Sequence, residues 1–219
     1  MTILKKPFFA FLAIYAVLFT ILAFNPYDRP TWFVENLTVW IIVGVLGVLY
    51  ARGVRFSTTA YALMFVLIYL HTIGGHYTFA LVPFGWVTET FGFARNHFDR
   101  IAHFSVGFYA FAIAELLDVR RSVNSRWVLV MYPIFAIATI AMGYELVEWI
   151  YAAVAAPEAG AAYLGSQGDI WDAQKDMLAD TLGALFAVGL YAILRHPTPT
   201  GRDTRTGGPG MLAGTGPSR

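Results

Sequence analysis

Six long apolar stretches, separated by shorter polar segments, dominate the pattern of residues along the chain. They cover residues 8–24, 32–50, 57–71, 101–117, 127–151 and 177–194. A helix needs roughly 20 apolar residues to cross a bilayer core about 30 Å thick, so we expect the shorter stretches to extend into flanking polar residues. The pattern predicts an all-α, polytopic membrane helix bundle with about six transmembrane helices, formed by residues 1–195 as one domain.

The remaining residues, 196–219, are mostly Gly, Pro, Thr and Ser and show no apolar periodicity. Such a segment cannot bury enough apolar surface to fold, so we predict a disordered cytoplasmic tail. The orientation follows from the basic residues. If the N-terminus is cytoplasmic, eleven Lys and Arg residues fall inside and four fall outside. Because cytoplasmic loops carry the excess of basic residues, both termini are predicted to be cytoplasmic.

Composition narrows the class of protein. Hydrophobic residues make up 58% of the chain and charged residues only 13%, whereas an average soluble domain has about 25% charged residues. The lipid bilayer is therefore the expected environment, and the net charge of +1 does not indicate a nucleic-acid partner. Because the chain has no cysteine, disulfides, thiolate catalysis and zinc–thiolate sites are excluded, and a metal would need histidine or oxygen ligands.

Three aspartates at the start of the last apolar stretch are the most informative polar residues. Asp172, Asp176 and Asp180 are spaced four residues apart and therefore share one face of a helix. Like charges at this spacing repel by about 0.2–0.5 kcal/mol per pair on an exposed helix, and charges within a bilayer cost more. A metal ion, a bound proton or basic side chains must compensate them, although Asp169 and Asp172 could simply cap the helix and face water.

Ionisable residues also occur at the predicted outer ends of three other spans. Asp99 and His103 stand at i and i+4, and Glu145 and Glu148 at i and i+3, so each pair shares a helix face. His71 ends the third span, because we expect the Gly-Gly pair that follows to break the helix. Histidines at such positions can also simply hydrogen-bond to nearby carbonyls or carboxylates. Four segments nevertheless place ionisable groups at one depth, which indicates a shared site in the outer half of the membrane.

Four of these polar segments carry a resemblance to a known family. Their sequences are His-Thr-Ile-Gly-Gly-His-Tyr (71–77) with Val-Pro-Phe-Gly (82–85), Asp-Arg-Ile-Ala-His-Phe-Ser-Val-Gly (99–107), Tyr-Glu-Leu-Val-Glu-Trp (144–149) and Gly-Ser-Gln-Gly-Asp-Ile-Trp-Asp-Ala-Gln-Lys-Asp-Met (165–177). In this combination the chain resembles the YjdF-type bacterial inner-membrane proteins, a family of uncharacterised function. The resemblance covers nearly everything before the tail and implies a multi-pass location in the bacterial inner membrane.

A more distant resemblance involves residues 99–103, Glu145 and residues 176–183. They look like the Asp-Lys-x-x-His, Glu and Asp-x-x-x-Asn-x-x-Gly pattern of VanZ-like membrane proteins, which are associated with glycopeptide-antibiotic resistance. Arg100 stands where that pattern has Lys, and Asp180 stands where it has Asn. The second departure adds a carboxylate to the aspartate face.

The residues leave three functions open. The first is a metal-dependent hydrolase or transferase that acts on an envelope or lipid-linked substrate from the outer face. The second is a proton- or cation-coupled transporter that uses the same carboxylates. The third is a structural or partner-binding membrane protein in which the polar residues lock the helices together.

For the enzyme, the sequence supplies specific candidates. The candidate ligands of a divalent metal ion are His71, His103, Asp176 and Asp180. The candidate catalytic residues are Glu145 as general base, Asp99, and Arg100, with Arg95 or Arg100 contacting an anionic group of the substrate.

Overall fold

The structure, a computed structural model, describes residues 7–154 and 166–195. Eight α-helices occur in these two ranges: α1 (Pro7–Leu22), α2 (Arg29–Ala51), α3 (Thr58–Tyr77), α4 (Gly85–Phe91), α5 (Phe98–Val106), α6 (Tyr109–Val119), α7 (Arg126–Val154) and α8 (Asp172–Leu194). The predicted disordered tail at 196–219 lies outside the described residues.

The predicted polytopic helix bundle is confirmed. Five spans in the described part of the chain are long and apolar enough to cross a membrane: α2, α3, α5 with α6, α7 and α8. The remaining predicted span, at residues 8–24, corresponds to α1, an apolar helix of 16 residues. At 1.5 Å per residue α1 is about 24 Å long, so it falls short of a bilayer core about 30 Å thick.

Helix α3 lies at the centre of the bundle. It packs against α1 and α2 on one side and against α5 and α6 on the other, while α8 packs against α5, α6 and α7. The fully buried side chains include Met64, Phe65 and Ile68 of α3 and Ile137 of α7. Many large apolar side chains elsewhere on the helices are exposed, as expected for surfaces that face lipid rather than water.

The helical hydrogen-bond pattern of the fourth span is interrupted where α5 ends and α6 begins. At Gly107 the backbone changes to hydrogen bonds three residues apart, such as the one from the Ala110 amide to the Gly107 carbonyl at 3.0 Å. At the same point α5 crosses α8 so closely that a Cβ atom at Gly107 would overlap the backbone of Gly183 and Ala184. The small residues of α8 thus permit the close approach of a neighbouring helix that their size predicts.

The predicted break at the Gly-Gly pair of the third span is wrong. Helix α3 continues through Gly74 and Gly75 and ends only where Thr78 adopts a left-handed conformation with φ of 56°. Both glycines serve close packing instead: a Cβ atom at Gly74 would overlap the Phe79 ring, and one at Gly75 would lie 3.0 Å from the Glu35 Cβ atom. Because the helix continues, His71 lies more than one turn inside α3 and is buried.

The end of the bundle that carries His71 is called the outer end below, following the predicted orientation. At the opposite, inner end, Asp118 of α6 accepts a hydrogen bond from the Tyr191 hydroxyl at 2.7 Å and forms an ion pair with Arg195 at 2.8 Å. Nearby, the Glu115 carboxylate accepts a hydrogen bond from the Ser57 amide just before α3. These contacts tie α3, α6 and α8 together at the inner end.

Helix α2 begins at an N-cap whose effect can be measured. The Asp28 carboxylate accepts a hydrogen bond from the Thr31 amide at 2.8 Å, and this bond holds the pKa of Asp28 below its usual value. We expect Asp28→Ala to lower the free energy of unfolding by about 0.5–2 kcal/mol. The Asp28 carboxylate should contribute its full stabilisation at pH values above the ordinary aspartate pKa of about 4. This stabilisation should be lost as the pH falls through the lower pKa that Asp28 has in the folded protein.

Unfolding of the detergent-purified protein between pH 3 and 7 checks this prediction. The control is Asp28→Asn, because asparagine also caps a helix but carries no charge. It should retain most of the stability and lose the pH dependence that comes from Asp28. Equal stability of the wild type and Asp28→Ala at neutral pH would contradict the assignment of Asp28 as a stabilising cap.

Candidate functional site

The three aspartates of α8 point into the bundle. Asp172, Asp176 and Asp180 are only 8%, 3% and 1% exposed, and they form a continuous buried acidic face along the outer half of the helix. The expectation that Asp172 might only cap the helix and face water is therefore wrong. Its backbone begins α8, but its carboxylate is turned inward because two arginines bind it there.

Arg95 and Arg100 compensate the outer part of this acidic face. Arg95 Nη1 lies 2.6 Å from Asp172 Oδ1. Arg100 donates to the carboxylates of both Asp172 and Asp176, and also to the Asp172 carbonyl at 3.2 Å. Since Arg100 is only 14% exposed in its side chain, its two ion pairs are shielded from water and both carboxylates depend on it.

Two side-chain amides hold the loop that carries Arg95. The side-chain nitrogen of Asn96, Nδ2, donates to the backbone carbonyls of Ala80 and Val82 at 3.1 and 2.8 Å. The Gln167 side chain in turn accepts a hydrogen bond from the backbone amide of Asn96 and donates one to the backbone carbonyl of Asn96. The segment before α5 is thereby fixed against the segment before α8, which explains how Arg95 reaches Asp172.

Asp169 lies at the outer edge of the same cluster. It forms an ion pair with Lys175 at 2.6 Å and lies 3.5 Å from Arg95. The hydrogen bond from Lys175 is the main cause that holds the pKa of Asp169 below its usual value. Its other oxygen accepts a hydrogen bond from the Trp171 amide at 3.1 Å. Because Trp171 is itself the N-cap residue and α8 has no side-chain cap, the expectation that Asp169 caps the helix is wrong.

His103 lies deeper, where three carboxylates surround its ring. Nδ1 lies 3.4 Å from Asp180 Oδ2 with hydrogen-bond geometry. Nε2 lies 3.7 Å from Oδ1 of Asp99 and 3.7 Å from Oδ1 of Asp176. We call these four residues the His103 site. The contacts of both ring nitrogens are longer than the usual hydrogen-bond range of about 2.7–3.2 Å, and those of Nε2 are the longest.

The donor atoms of Asp99, His103 and Asp176 are arranged as in a metal site. One ligand atom of each lies within 4.8 Å of the other two. Ligands about 2.1 Å from a metal lie roughly 3.4 Å apart in a tetrahedral shell, so the distances of 3.7 Å from His103 Nε2 need only a small contraction. One imidazole with carboxylates suits divalent ions such as zinc, manganese or iron. The residues present therefore fit a divalent metal.

A cavity of about 110 Å³ adjoins His103 and is lined by residues of α2, α3, α5, α7 and α8. It is large enough for several water molecules or a small part of a substrate. Most of its wall is apolar, with Leu67, Val106 and Ile140 among the lining residues. The polar groups on its wall are Glu35, Thr38, His71, Asp99, His103, Tyr144, Glu148 and Asp180.

The structure separates His71 from the other predicted metal ligands. His71 faces the same cavity, but its nearest acidic partner is Glu35 of α2, with 3.0 Å between His71 Nε2 and Glu35 Oε2. We call Glu35 and His71 the His71 pair. The sequence analysis did not single out Glu35, although a carboxylate inside an otherwise apolar span is itself a signal of a functional site.

The predicted catalytic residues have different surroundings. Asp99 belongs to the His103 site, and Arg100 forms ion pairs with Asp172 and Asp176. Glu145 is 9% exposed, and its buried Oε1 atom has no hydrogen-bond partner. Glu148, one turn further along α7, lines the cavity. The assignment of Glu145 as general base stays a prediction.

Fold and site together define a polytopic helical membrane protein with a buried histidine–carboxylate site beside a cavity. A family described as "Predicted membrane protein (DUF2238)" matches residues 8–197, and the chain belongs to this family. It is similar to the inner membrane protein YjdF of Escherichia coli strain K12, with 38% identity over 170 residues, or 75% of this chain and 78% of the relative. No solved structure matches the chain.

These comparisons confirm the resemblance to the YjdF-type family and the multi-pass location in the bacterial inner membrane. They name a membrane protein and no activity, so the chemistry has to be inferred from the site itself. The resemblance to VanZ-like proteins stays a prediction.

Proposed function

We propose that this protein is a membrane enzyme that depends on a divalent metal ion bound at the His103 site. The observation that carries the proposal is the environment of the His103 ring. If Nδ1 donates to Asp180, the Nε2 atom lies 3.7 Å from two carboxylates, which is unfavourable for its lone pair unless Nε2 is protonated or binds a cation. A histidine that binds a metal through one nitrogen commonly donates to a carboxylate through the other.

The charges around the site also favour a bound cation. Eight carboxyl groups lie in the outer cluster or near it: Glu35, Asp99, Glu145, Glu148, Asp169, Asp172, Asp176 and Asp180. Their permanently charged partners in the described residues are Arg95, Arg100 and Lys175. Protonation of both His71 and His103 would still leave the acidic groups in excess. A divalent metal at the His103 site would reduce this excess beside Asp99 and Asp180, for which the described ion pairs include no arginine.

Each residue of the site has a role in this proposal. Asp99, His103 and Asp176 would bind the metal, and the metal would polarise a substrate oxygen or lower the pKa of a bound water. Asp180 holds the His103 ring in the tautomer that leaves Nε2 free, and Arg100 orients the Asp176 carboxylate. Glu148 lines the cavity, where its carboxylate can accept a proton from a group bound there.

The substrate we propose is an envelope or lipid-linked molecule with an anionic group. A mostly apolar cavity at the outer end of a membrane bundle suits a molecule that stays in or near the bilayer. Arg95, whose Nη1 binds Asp172, has buried Nε and Nη2 atoms without a hydrogen-bond partner. This edge of a guanidinium group matches the two oxygens of a phosphate or carboxylate.

The structural alternative is less well supported. A polar network that only locks helices together would be expected to satisfy all its buried groups. Here buried oxygens of Glu35, Glu145 and Asp180 and the Nε2 atom of His71 have no hydrogen-bond partner. Three of these residues, Glu35, His71 and Asp180, line the cavity, where a bound ligand would satisfy them.

The transporter alternative would require ionisable groups that continue towards the inner end. Within the described spans, no charged residue lies between Glu35 and the inner end of α2, between His103 and Glu115, or between Asp180 and Arg195. The Glu115 carboxylate accepts a hydrogen bond from the Ser57 amide. The carboxylates therefore form an outer cluster and not a pathway across the membrane.

Metal analysis of the detergent-purified protein tests the proposal. The protein is dialysed against Mn²⁺ or Zn²⁺, and bound metal is measured for the wild type, Asp180→Asn and the control Asp118→Asn, which removes a carboxylate at the inner end. Loss of an outer-shell partner costs about 10–100-fold in metal affinity. We expect this decrease for Asp180→Asn and none for Asp118→Asn. A wild type that binds no metal would refute the metal-dependent enzyme.

The catalytic part of the proposal needs its own measurement. Proteoliposomes made with a total lipid extract of bacterial inner membranes are incubated with and without the metal, and the lipids are compared by mass spectrometry. We expect at least one anionic lipid or lipid-linked component to be converted by the metal-loaded wild type and not by Asp180→Asn at limiting metal. A metal-loaded wild type that converts no component would contradict a lipid-linked substrate.

A further inference from the structure

The His71 pair lies on the wall of the same cavity as the His103 site but belongs to other helices. Glu35 comes from α2 and His71 from α3, while the His103 site comes from α5 and α8. The side chains of Glu35 and His71 are only 4% and 11% exposed. A buried ionisable pair therefore faces the cavity without a role in the proposed function.

The two groups of the His71 pair compensate each other. Glu35 Oε2 and His71 Nε2 form an ion pair at 3.0 Å, and the ion pairs of the described residues give Glu35 no other basic partner. Because a buried charge is costly unless it is paired, burial favours a pair that is neutral as a whole and holds one proton. The two atoms make no aligned hydrogen bond, but catalytic hydrogen bonds are often poorly aligned until a substrate binds.

Packing holds the His71 ring in this position. Gly75 of α3 leaves room for the Glu35 side chain, since an added Cβ atom there would lie 3.0 Å from the Glu35 Cβ atom. The Phe79 ring meets the His71 ring edge-on, with 5.1 Å between the ring centroids. With Nε2 turned towards Glu35, Nδ1 is the ring nitrogen that can meet a group bound in the cavity.

The cavity brings this nitrogen near the His103 site. Its volume of about 110 Å³ is small compared with the roughly 300–1,000 Å³ of ordinary ligand pockets, so a group bound in it lies close to the whole wall. The titratable groups on that wall are Glu35, His71, Asp99, His103, Tyr144, Glu148 and Asp180. A proton can thus pass between His71 and a substrate at the His103 site, either directly or through water in the cavity.

We infer that the His71 pair is the proton donor for the reaction at the His103 site, with His71 as a catalytic residue and Glu35 as its positioning residue. The inference rests on the proposed function, in which a water or hydroxyl oxygen attacks the substrate and the bond to the leaving oxygen breaks. Glu148 accepts the proton of the attacking oxygen, and His71 donates a proton from Nδ1 to the leaving oxygen. Glu148 then returns its proton to His71 through water in the cavity, which restores both groups.

Metal binding and lipid conversion, measured on the same samples, test this role. The Mn²⁺-loaded full-length protein is placed in proteoliposomes of a total lipid extract of bacterial inner membranes. We expect His71→Ala and Glu35→Gln to bind metal like the wild type but to convert lipid about 10²–10⁴-fold more slowly, the usual contribution of general acid–base catalysis.

Chemical rescue separates a proton donor from a merely structural residue. Added imidazole should restore part of the rate of His71→Ala, because it can occupy the space of the missing ring, but it should not restore Glu35→Gln. The matched control is His76→Ala on the same helix. The His76 ring contacts the Leu22 carbonyl and does not line the cavity, so this variant should convert lipid at the wild-type rate with or without imidazole.

The other outcomes distinguish this inference from the proposed function. Wild-type rates in His71→Ala and Glu35→Gln would refute the proton donor alone. A folded His71→Ala that loses its metal would make His71 a ligand, and a slow His71→Ala that imidazole leaves unchanged would make its role structural; either result overturns the inference. A metal-loaded wild type that converts no lipid would refute the proposed substrate and the inference together. Circular dichroism shows whether each variant is folded, and Glu35→Gln preserves the size of the side chain.

Discussion

Replacing His103 with alanine should abolish metal binding at the His103 site. The substitution removes the only nitrogen ligand of this site and leaves Asp99, Asp176 and Asp180 without the group that lies between them. Metal affinity should fall by more than the roughly 10–100-fold expected for an outer-shell residue. Equilibrium dialysis against Mn²⁺ or Zn²⁺ measures this loss, and conversion of the lipid substrate should be lost with it.

Two further variants show whether the effect is specific. His97→Ala removes a histidine just before α5 that does not line the cavity of the His103 site, so it should leave metal binding unchanged. Asp99→Asn removes a charged ligand but keeps the shape of the side chain, so it should weaken binding without unfolding the protein. If His103→Ala and Asp99→Asn were folded and bound metal like the wild type, the ligand assignment would be wrong.

The membrane bundle could be predicted from the sequence because its signal is local. An apolar stretch of sufficient length requires a helix in a bilayer, whatever its neighbours are. Helix boundaries were harder, since they depend on contacts between segments. Helix α3 continues through Gly74 and Gly75 because Glu35 and Phe79 pack against these glycines, and such contacts cannot be derived from glycine content. Helix α4 was not predicted because its seven residues provide no clear apolar period.

The candidate site was predictable in part for the same reason. The spacing of the aspartates of α8 is a local property, and all three indeed share the buried face. The partner of each residue is a tertiary property. The sequence grouped His71 with His103 because both lie at one depth, but the way α2 packs against α3 places His71 beside Glu35. Depth in the membrane therefore predicted membership in the cluster and not the pairing within it.

The close crossing of α5 and α8 connects the fold to this chemistry. Asp99 and His103 lie on α5, and Asp176 and Asp180 lie on α8, so the His103 site exists only while the two helices keep their distance. Gly183 of α8 lies against the backbone of Phe104 and Gly107 at the crossing. Small residues in the packing interface thus set the separation of the candidate metal ligands, one turn away from them.

The substitution Gly183→Ala should therefore impair both stability and metal binding. Its Cβ atom would overlap the Phe104 carbonyl oxygen, and a backbone atom cannot avoid the clash by a change of rotamer. Overpacking of this kind costs about 1–3 kcal/mol, and the backbone contact places Gly183→Ala at the upper end. Ligand distances tolerate only about 0.2 Å, so a small separation of α5 from α8 should weaken metal binding by at least about tenfold.

The matched control lies on the same helix. Gly189→Ala adds the same methyl group to α8 where nothing lies within 4 Å, so it should leave metal binding unchanged and stabilise the helix slightly through the higher helix propensity of alanine. Thermal unfolding and metal titration of both variants provide the comparison. A protein in which Gly183→Ala kept wild-type stability and affinity would show that the helices can separate at this crossing without disturbing the site. The position of α5 against α8 would then not be what holds the three proposed ligands together.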